Sequence, residues 1–193
     1  RDAIMIYSDI NSDKLNQEEQ DECDFKTAYC HYQTQNIYKA APIFESLSKT
    51  TNKYKDDATY YYAHISYINK ESDKALELFK SLKQNEKYAD IADIYILQIN
   101  FEKGNHDEVV DKGDNILTKA QKSRKADIAL MLAESWHQQG NYEKSLEYYN
   151  IVVENSNRRL PREVEFKIAF CMMKTNDFEG AIKHFAKVTD IND

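Results

Sequence analysis

The chain has few residues that break secondary structure and no long apolar run. Only 4 glycines and 2 prolines occur among 193 residues, too few for an all-β protein with many tight turns. The longest uninterrupted apolar run extends from Ile128 to Ala133, whereas a membrane-spanning helix needs about 20 apolar residues. These shortages exclude an all-β fold and a membrane-inserted segment within this sequence.

The chain also lacks an excess of positive charge. Lys and Arg number 26 against 33 Asp and Glu, so the net charge is −7. A general nucleic-acid binder needs a basic face that displaces counterions from phosphates. We therefore expect no nucleic-acid partner.

Cysteine is scarce, with only Cys23, Cys30 and Cys171 present. An odd number without regular spacing does not indicate a disulfide framework. Cys23 and Cys30 are seven residues apart, which places them about 10 Å apart on a helix, beyond disulfide reach. The sequence predicts buried free thiols.

The motifs of known catalytic and cofactor sites are missing. The chain contains no H-E-x-x-H, no C-x-x-C and no G-x-G, so it lacks these zinc and phosphate signatures. The five histidines are scattered along the chain. We therefore predict no enzymatic activity, no cofactor and no metal site, and keep an enzyme only as the third hypothesis below.

A period of about 35 residues runs through the sequence. A small residue is followed by an aromatic residue four places later and an apolar residue three places after that, a spacing that keeps all three on one helical face. The fullest examples begin at Ala40, Ala75, Ser145 and Ala181, and a degenerate one begins at Val109. Successive examples are 35, 34, 36 and 36 residues apart. Each is preceded by another helical segment whose middle residue is Ala28, Ala63, Leu97, Ala133 or Ala169.

The stretch from 126 to 153 resembles the tetratricopeptide repeat, whose signature is W-x2-L-G-x2-Y followed by A-x3-F and Pro. Its turn contains Gly140 and Tyr142, and its second half contains Ser145 and Tyr149, although the first aromatic residue and the closing Pro of the signature are absent. The resemblance implies an all-α fold in which helix-turn-helix repeats stack into a right-handed superhelix, an α-solenoid.

On this basis we expect one solenoid over residues 1–193. It would contain an orphan second helix at 1–12 and five complete repeats, at 20–53, 55–87, 88–122, 124–157 and 161–193. Because the pattern begins in the middle of a repeat, we hypothesise a bacterial protein segment cut from a longer array. A naturally short array is the alternative. The localisation is left open between a bacterial cell envelope and the cytoplasm.

The resemblance implies a non-catalytic scaffold that binds a peptide or protein segment in a concave groove lined by the first helices. Helical phase puts aromatic side chains on that wall, and tyrosine combines a large ring with a polar tip suited to a half-wet surface. The predicted peptide-groove residues are Tyr29, Tyr32, Tyr60, His64, Tyr67 and Phe101. Packing between repeats is the competing interpretation of these rings.

The partner is expected to carry apolar anchors and net positive charge, because Glu22, Asp57 and Glu134 fall on the same wall. Two other hypotheses remain: a structural spacer or self-association array within a larger protein, which allows a homo-oligomer, and an unrecognised enzyme.

Two further expectations concern packing. Gly113 stands where other second helices have an aromatic ring, so the third repeat is predicted to be the weakest. Trp136 is predicted to be a buried residue that faces Tyr149.

Overall fold

The computed structural model describes residues 15–156 and 159–189, and all regular secondary structure in these ranges is α-helical. The prediction of an all-α fold is confirmed, whereas the orphan helix expected at 1–12 lies outside the described residues. No described helix is long and apolar enough to cross a membrane. The ten described helices are α1 (Gln17–Gln33), α2 (Ile37–Lys49), α3 (Lys55–Ile68), α4 (Ser72–Ser81), α5 (Ala89–Glu102), α6 (His106–Lys119), α7 (Lys122–Gln138), α8 (Tyr142–Asn155), α9 (Arg162–Lys174) and α10 (Phe178–Thr189).

The helices form five pairs, and the turn inside each pair has the same backbone conformation. One residue in each turn is left-handed, and a backbone N–H one position later bonds to the carbonyl five residues before it, at 2.8–3.0 Å. This arrangement is the Schellman motif, which satisfies carbonyl groups at a helix end. The left-handed residues are Gln35, Lys70, Gly104, Gly140 and Asn176. Their spacing matches the 35-residue period of the sequence.

Exchanging the residues at two of these turns should change stability in opposite directions. Gln35 has φ 60° and Gly140 has φ 75°, and a left-handed conformation costs an L-residue about 1–2 kcal/mol. Gln35→Gly should raise the free energy of unfolding by about 0.5–1 kcal/mol, and Gly140→Gln should lower it by a similar amount. Nothing lies within 4 Å of a Cβ built at Gly140, so the destabilisation by Gly140→Gln comes from the left-handed backbone conformation and not from a steric clash. Urea unfolding measures the free energy of unfolding of both variants. Equal values for the two variants would contradict the assignment of these turns.

The chain divides into two compact units, residues 1–96 and 97–193. In the first unit, small residues let paired helices approach closely: Ala28 of α1 and Ala40 of α2 are both fully buried. Phe44 and Leu47 of α2 complete this core together with Ile65 of α3. The residues that define the sequence period therefore form the packing core of the unit.

The second unit uses the same positions with different side chains. Ser145 of α8 occupies the position that alanine has in α2, α4 and α10. It is fully buried and donates a hydrogen bond of 2.8 Å to the carbonyl of Ala133 in α7. The thiol of Cys171 in α9 lies 3.5 Å from the same hydroxyl, and burial raises its pKa. All three cysteines are free, and Cys23 and Cys30 are half-buried where we expected buried thiols.

Gly113 of α6 is buried and in close contact with α7. A Cβ at this position would lie 2.5 Å from Cδ2 of Leu132, which is itself fully buried. Leu132 therefore fills the space that an aromatic ring occupies in other repeats. Gly113 therefore has an apolar neighbour in the following helix, and the expectation that the third repeat is the weakest stays a prediction.

Trp136 of α7 is half-buried, so the expectation of a buried tryptophan at this position is wrong. The ammonium of Lys144 in α8 lies 5.4 Å from the centroid of its ring. Tyr149, the partner that we expected, is fully buried, and this burial, with smaller contributions from Glu134, Cys171 and Glu163, raises its pKa.

Candidate functional site

Five of the six predicted groove residues lie together in the first unit, on the two neighbouring first helices α1 and α3. The hydroxyl of Tyr32 lies 2.8 Å from Nδ1 of His64, a hydrogen bond that joins the two helices. The ring of His64 also stacks on that of Tyr60, with centroids 6.4 Å apart. We call this set the tyrosine surface; it consists of Tyr29, Tyr32, Tyr60, His64 and Tyr67.

Two tyrosines that we did not predict hold the tyrosine surface together. Tyr61 of α3 contacts α1, with its ring centroid 5.5 Å from that of Tyr29 and 5.0 Å from that of Tyr32. Tyr95 of α5 lies 5.5 Å from Tyr67. The result is a continuous set of aromatic contacts across three successive first helices.

A signal for these residues was present in the sequence. Tyr61 and Tyr95 both stand two positions before the central small or apolar residue of their helices, and they are 34 residues apart. Tyr54 and Tyr88 show the same separation. Successive residues on a helix extend about 100° apart, so the predicted stripe that contains Tyr60 and His64 did not include Tyr61.

The tyrosine surface is neutral at physiological pH and partly exposed. Tyr29 is 38% exposed, and the other four members are half-buried. Burial raises the pKa of Tyr32 and lowers that of His64, and it raises the pKa of Tyr61 to about 12. Each shift favours the uncharged form. The surface therefore offers rings with polar tips and no formal charge.

The carboxylates expected to make this wall negative are paired with lysines. Glu22 contacts Lys26 at 2.5 Å and Lys53 at 3.3 Å, and their hydrogen bonds lower its pKa to about 2. Asp57 contacts Lys87 at 2.6 Å. In the second unit, Glu134 contacts Lys167 at 2.6 Å. These three acids thus provide less uncompensated negative charge than the sequence suggested.

Phe101 is the one predicted groove residue outside the first unit. It lies in the second unit, at the end of α5, where its ring centroid is 5.9 Å from that of His106. Its ring is half-buried. We therefore leave Phe101 out of the tyrosine surface.

Among the residues described, no three His, Cys, Asp or Glu side chains are grouped so that they could hold a metal ion. An open depression of about 500 Å³ lies in the second unit, near the turn between α5 and α6. It is lined by Gly104, Asn105, His106, Asp107, Glu108, Gln138 and Gln139. In it Gln139 donates to Asp107 at 2.7 Å and His106 bonds to Ser135 at 3.1 Å, so these polar groups are engaged with each other.

Comparison with known proteins gives a sequence match at one end of the chain. Residues 163–191, which contain α10 and all but the first residue of α9, match the family described as tetratricopeptide repeat. No curated protein sequence matches the chain significantly.

Solved structures share the fold over nearly the whole chain. The structure of MamA from Desulfovibrio magneticus RS-1, residue 41 to the end, superposes with a TM-score of 0.74 at 11% identity and covers 91% of this chain and 97% of its own. MamA of strain AMB-1 gives a TM-score of 0.75 at 12% identity, with coverages of 90% and 92%. The chain therefore shares its helical fold with these structures, and its last helix pair matches the tetratricopeptide-repeat family.

Proposed function

We propose that the chain is a non-catalytic protein-interaction scaffold and that the tyrosine surface binds a peptide segment of its partner. The main support is the arrangement of Tyr29, Tyr32, Tyr60, His64 and Tyr67, which form one connected surface and yet stay partly exposed. Tyrosine is enriched at binding hot spots because it offers a large contact area with few rotatable bonds.

The chemistry of the tyrosine surface supports one kind of partner segment. Uncharged rings with hydroxyl tips favour a segment that inserts apolar side chains between the rings and places its backbone polar groups near the hydroxyls. The chain has a net charge of −7, which favours a partner of net positive charge through long-range attraction. Since Glu22 and Asp57 are paired with lysines, we assign the charge a smaller part in affinity than the rings.

The tyrosine surface can be tested with a peptide selected from a displayed random library against the 193-residue chain. The double variant Tyr29→Ala/Tyr67→Ala should weaken binding of this peptide by about tenfold or more, because hot-spot rings each contribute 1–2 kcal/mol or more. Titration calorimetry measures the dissociation constant, and the helical circular dichroism checks the fold.

Tyr38→Ala is the matched control, because Tyr38 of α2 is 87% exposed and is not part of the tyrosine surface. It should leave the affinity unchanged. If Tyr29→Ala/Tyr67→Ala binds the peptide as the wild type does, the tyrosine surface is not the binding site. If the double variant loses its helical signal, these rings act as a core between repeats instead.

A further inference from the structure

The turn between α6 and α7 concentrates positive charge in an acidic chain. Lys119 is the last residue of α6, and Lys122, Arg124 and Lys125 lie in the first turn of α7. Lys125 is half-buried and the other three are exposed. We call these four residues the basic turn. It belongs entirely to the second unit and has a complete helix pair on each side, so its exposure does not come from an end of the helix array.

The side chains of the basic turn are unpaired. Within the described part of the chain, none of the four forms an ion pair, a hydrogen bond or an aromatic contact through its charged group. Asp127 of α7, the next carboxylate along the chain, is exposed and does not contact them either. The basic turn is therefore a local surface of uncompensated positive charge.

In the first unit, lysines beside the turns between repeats are bound by carboxylates. Lys53, which precedes α3, contacts Glu18 at 3.0 Å and Glu22 at 3.3 Å. Lys87, which precedes α5, contacts Asp57 at 2.6 Å. Glu18 and Glu22 are four positions apart on α1, so one helix face presents both carboxylates to a single ammonium group. These contacts show which arrangement of acids satisfies a lysine at such a turn.

The cations at the start of α7 do not stabilise that helix. A helix N-terminus is the positive end of the helix dipole, where acidic side chains are favourable and cations are unfavourable. The first turn of α3 has the favourable arrangement, with Asp56 and Asp57. The first turn of α7 has no acidic residue, and its N-cap residue Gln121 makes no side-chain hydrogen bond. Within the basic turn, only Lys119 lies at a helix end that favours a cation, so helix stability does not explain the other three.

We propose that the basic turn binds an acidic helical segment of a partner polypeptide, in which two carboxylates lie four positions apart. Lys122 and Lys125 share one face of α7 and are about 4.5 Å apart along its axis, whereas carboxylates four positions apart are separated by about 6 Å. Flexible lysine side chains bridge this small difference. The guanidinium of Arg124 adds a group that can hold a carboxylate with two hydrogen bonds. The basic turn is separate from the tyrosine surface, and the proposal does not depend on it.

The charge of the chain favours an acidic polypeptide over a nucleic acid. Charges are screened over about 8 Å at physiological ionic strength, so a short acidic segment interacts mainly with the basic turn. A nucleic acid carries a charge on every phosphate and extends beyond the basic turn, where a chain of net charge −7 repels it. A second copy of this chain fits less well, because Glu18 and Glu22 are already bound to Lys53.

A labelled alanine-rich helical peptide with pairs of glutamates four positions apart is the probe. Fluorescence anisotropy should show saturable binding to the 193-residue chain, and added salt should weaken it because exposed charges are screened. The same peptide with glutamine in place of every glutamate should bind at least about tenfold more weakly, since its charge complementarity is lost.

The variant Lys122→Glu/Lys125→Glu should weaken binding of the peptide at least about tenfold. It should also raise the midpoint of urea unfolding, because acids replace cations at the N-terminus of α7. Lys55→Glu/Lys80→Glu is the matched control, since it changes the net charge equally and both lysines are exposed. This control should change the affinity by about twofold or less.

Absence of saturable binding by the glutamate peptide, or equal weakening by the two double variants, would overturn the proposal. A lower unfolding midpoint for Lys122→Glu/Lys125→Glu would also overturn it, because the cations would then serve the fold. Tighter binding of a labelled single-stranded oligonucleotide than of the peptide would assign the basic turn to phosphate groups instead. A concentration-dependent dimer of the wild type that Lys122→Glu/Lys125→Glu abolishes in sedimentation would show that a second copy is the partner.

Discussion

Replacing Phe44 by Ala is expected to lower the free energy of unfolding by about 3–5 kcal/mol, the usual cost of removing a buried phenylalanine. Phe44 is fully buried. Its ring centroid lies 5.1 Å from Tyr61 of α3, 5.8 Å from Phe25 and 6.5 Å from Tyr32 of α1. Its removal would leave a cavity where two successive repeats meet. Urea denaturation followed by circular dichroism measures the loss.

Tyr38→Ala provides the comparison, since it removes an aromatic ring of similar size from the same helix. With 87% of Tyr38 exposed, we expect a change within about 0.5 kcal/mol. A loss below about 1 kcal/mol for Phe44→Ala would show that the aromatic contacts between α1, α2 and α3 do not hold the first unit together.

Introducing the aromatic residue that the repeat pattern favours at position 113 should destabilise the protein. Gly113→Phe is expected to cost about 1–3 kcal/mol or more, because extra atoms forced into a packed core displace their neighbours. A Cβ at this position already lies 2.5 Å from Cδ2 of Leu132, and the burial of Leu132 leaves it little room to move. The sequence pattern alone predicts the opposite, namely a gain from the added ring.

A double-mutant cycle separates these explanations. Leu132→Ala alone should cost about 2–5 kcal/mol because it leaves a cavity beside Gly113. The combination Gly113→Phe/Leu132→Ala should cost clearly less than the sum of the single changes, since the new ring occupies the vacated space. Additive costs would show that the two residues do not share one packing site.

The features that could be predicted from the sequence are those with local physical causes. Small residues such as Ala28 and Ala40 recur because two helix backbones approach closely there, and this requirement appears directly in the residue type. Gly104 and Gly140 mark turns that need a left-handed residue. Such positions repeat with the period of the fold, so the helix pairs could be predicted without any contact information.

Features that depend on partners from the next repeat could not be predicted in the same way. Lys53 and Lys87 compensate Glu22 and Asp57 from about 30 positions further along the chain, and no local pattern shows that they will meet. The buried surroundings of Gly113 depend likewise on Leu132 of the following helix. The tyrosine surface was predicted in its members but without Tyr61 and Tyr95, which connect them across helices.

The binding role of the tyrosine surface can be tested most directly by fluorine NMR of the chain labelled with 3-fluorotyrosine, with resonances assigned by single Tyr→Phe variants. The ligand is the peptide selected from the displayed library. We expect that its addition shifts the resonances of Tyr29, Tyr32, Tyr60 and Tyr67 and leaves those of Tyr38 and Tyr148 unchanged. Saturable binding that shifts none of the four resonances would contradict it.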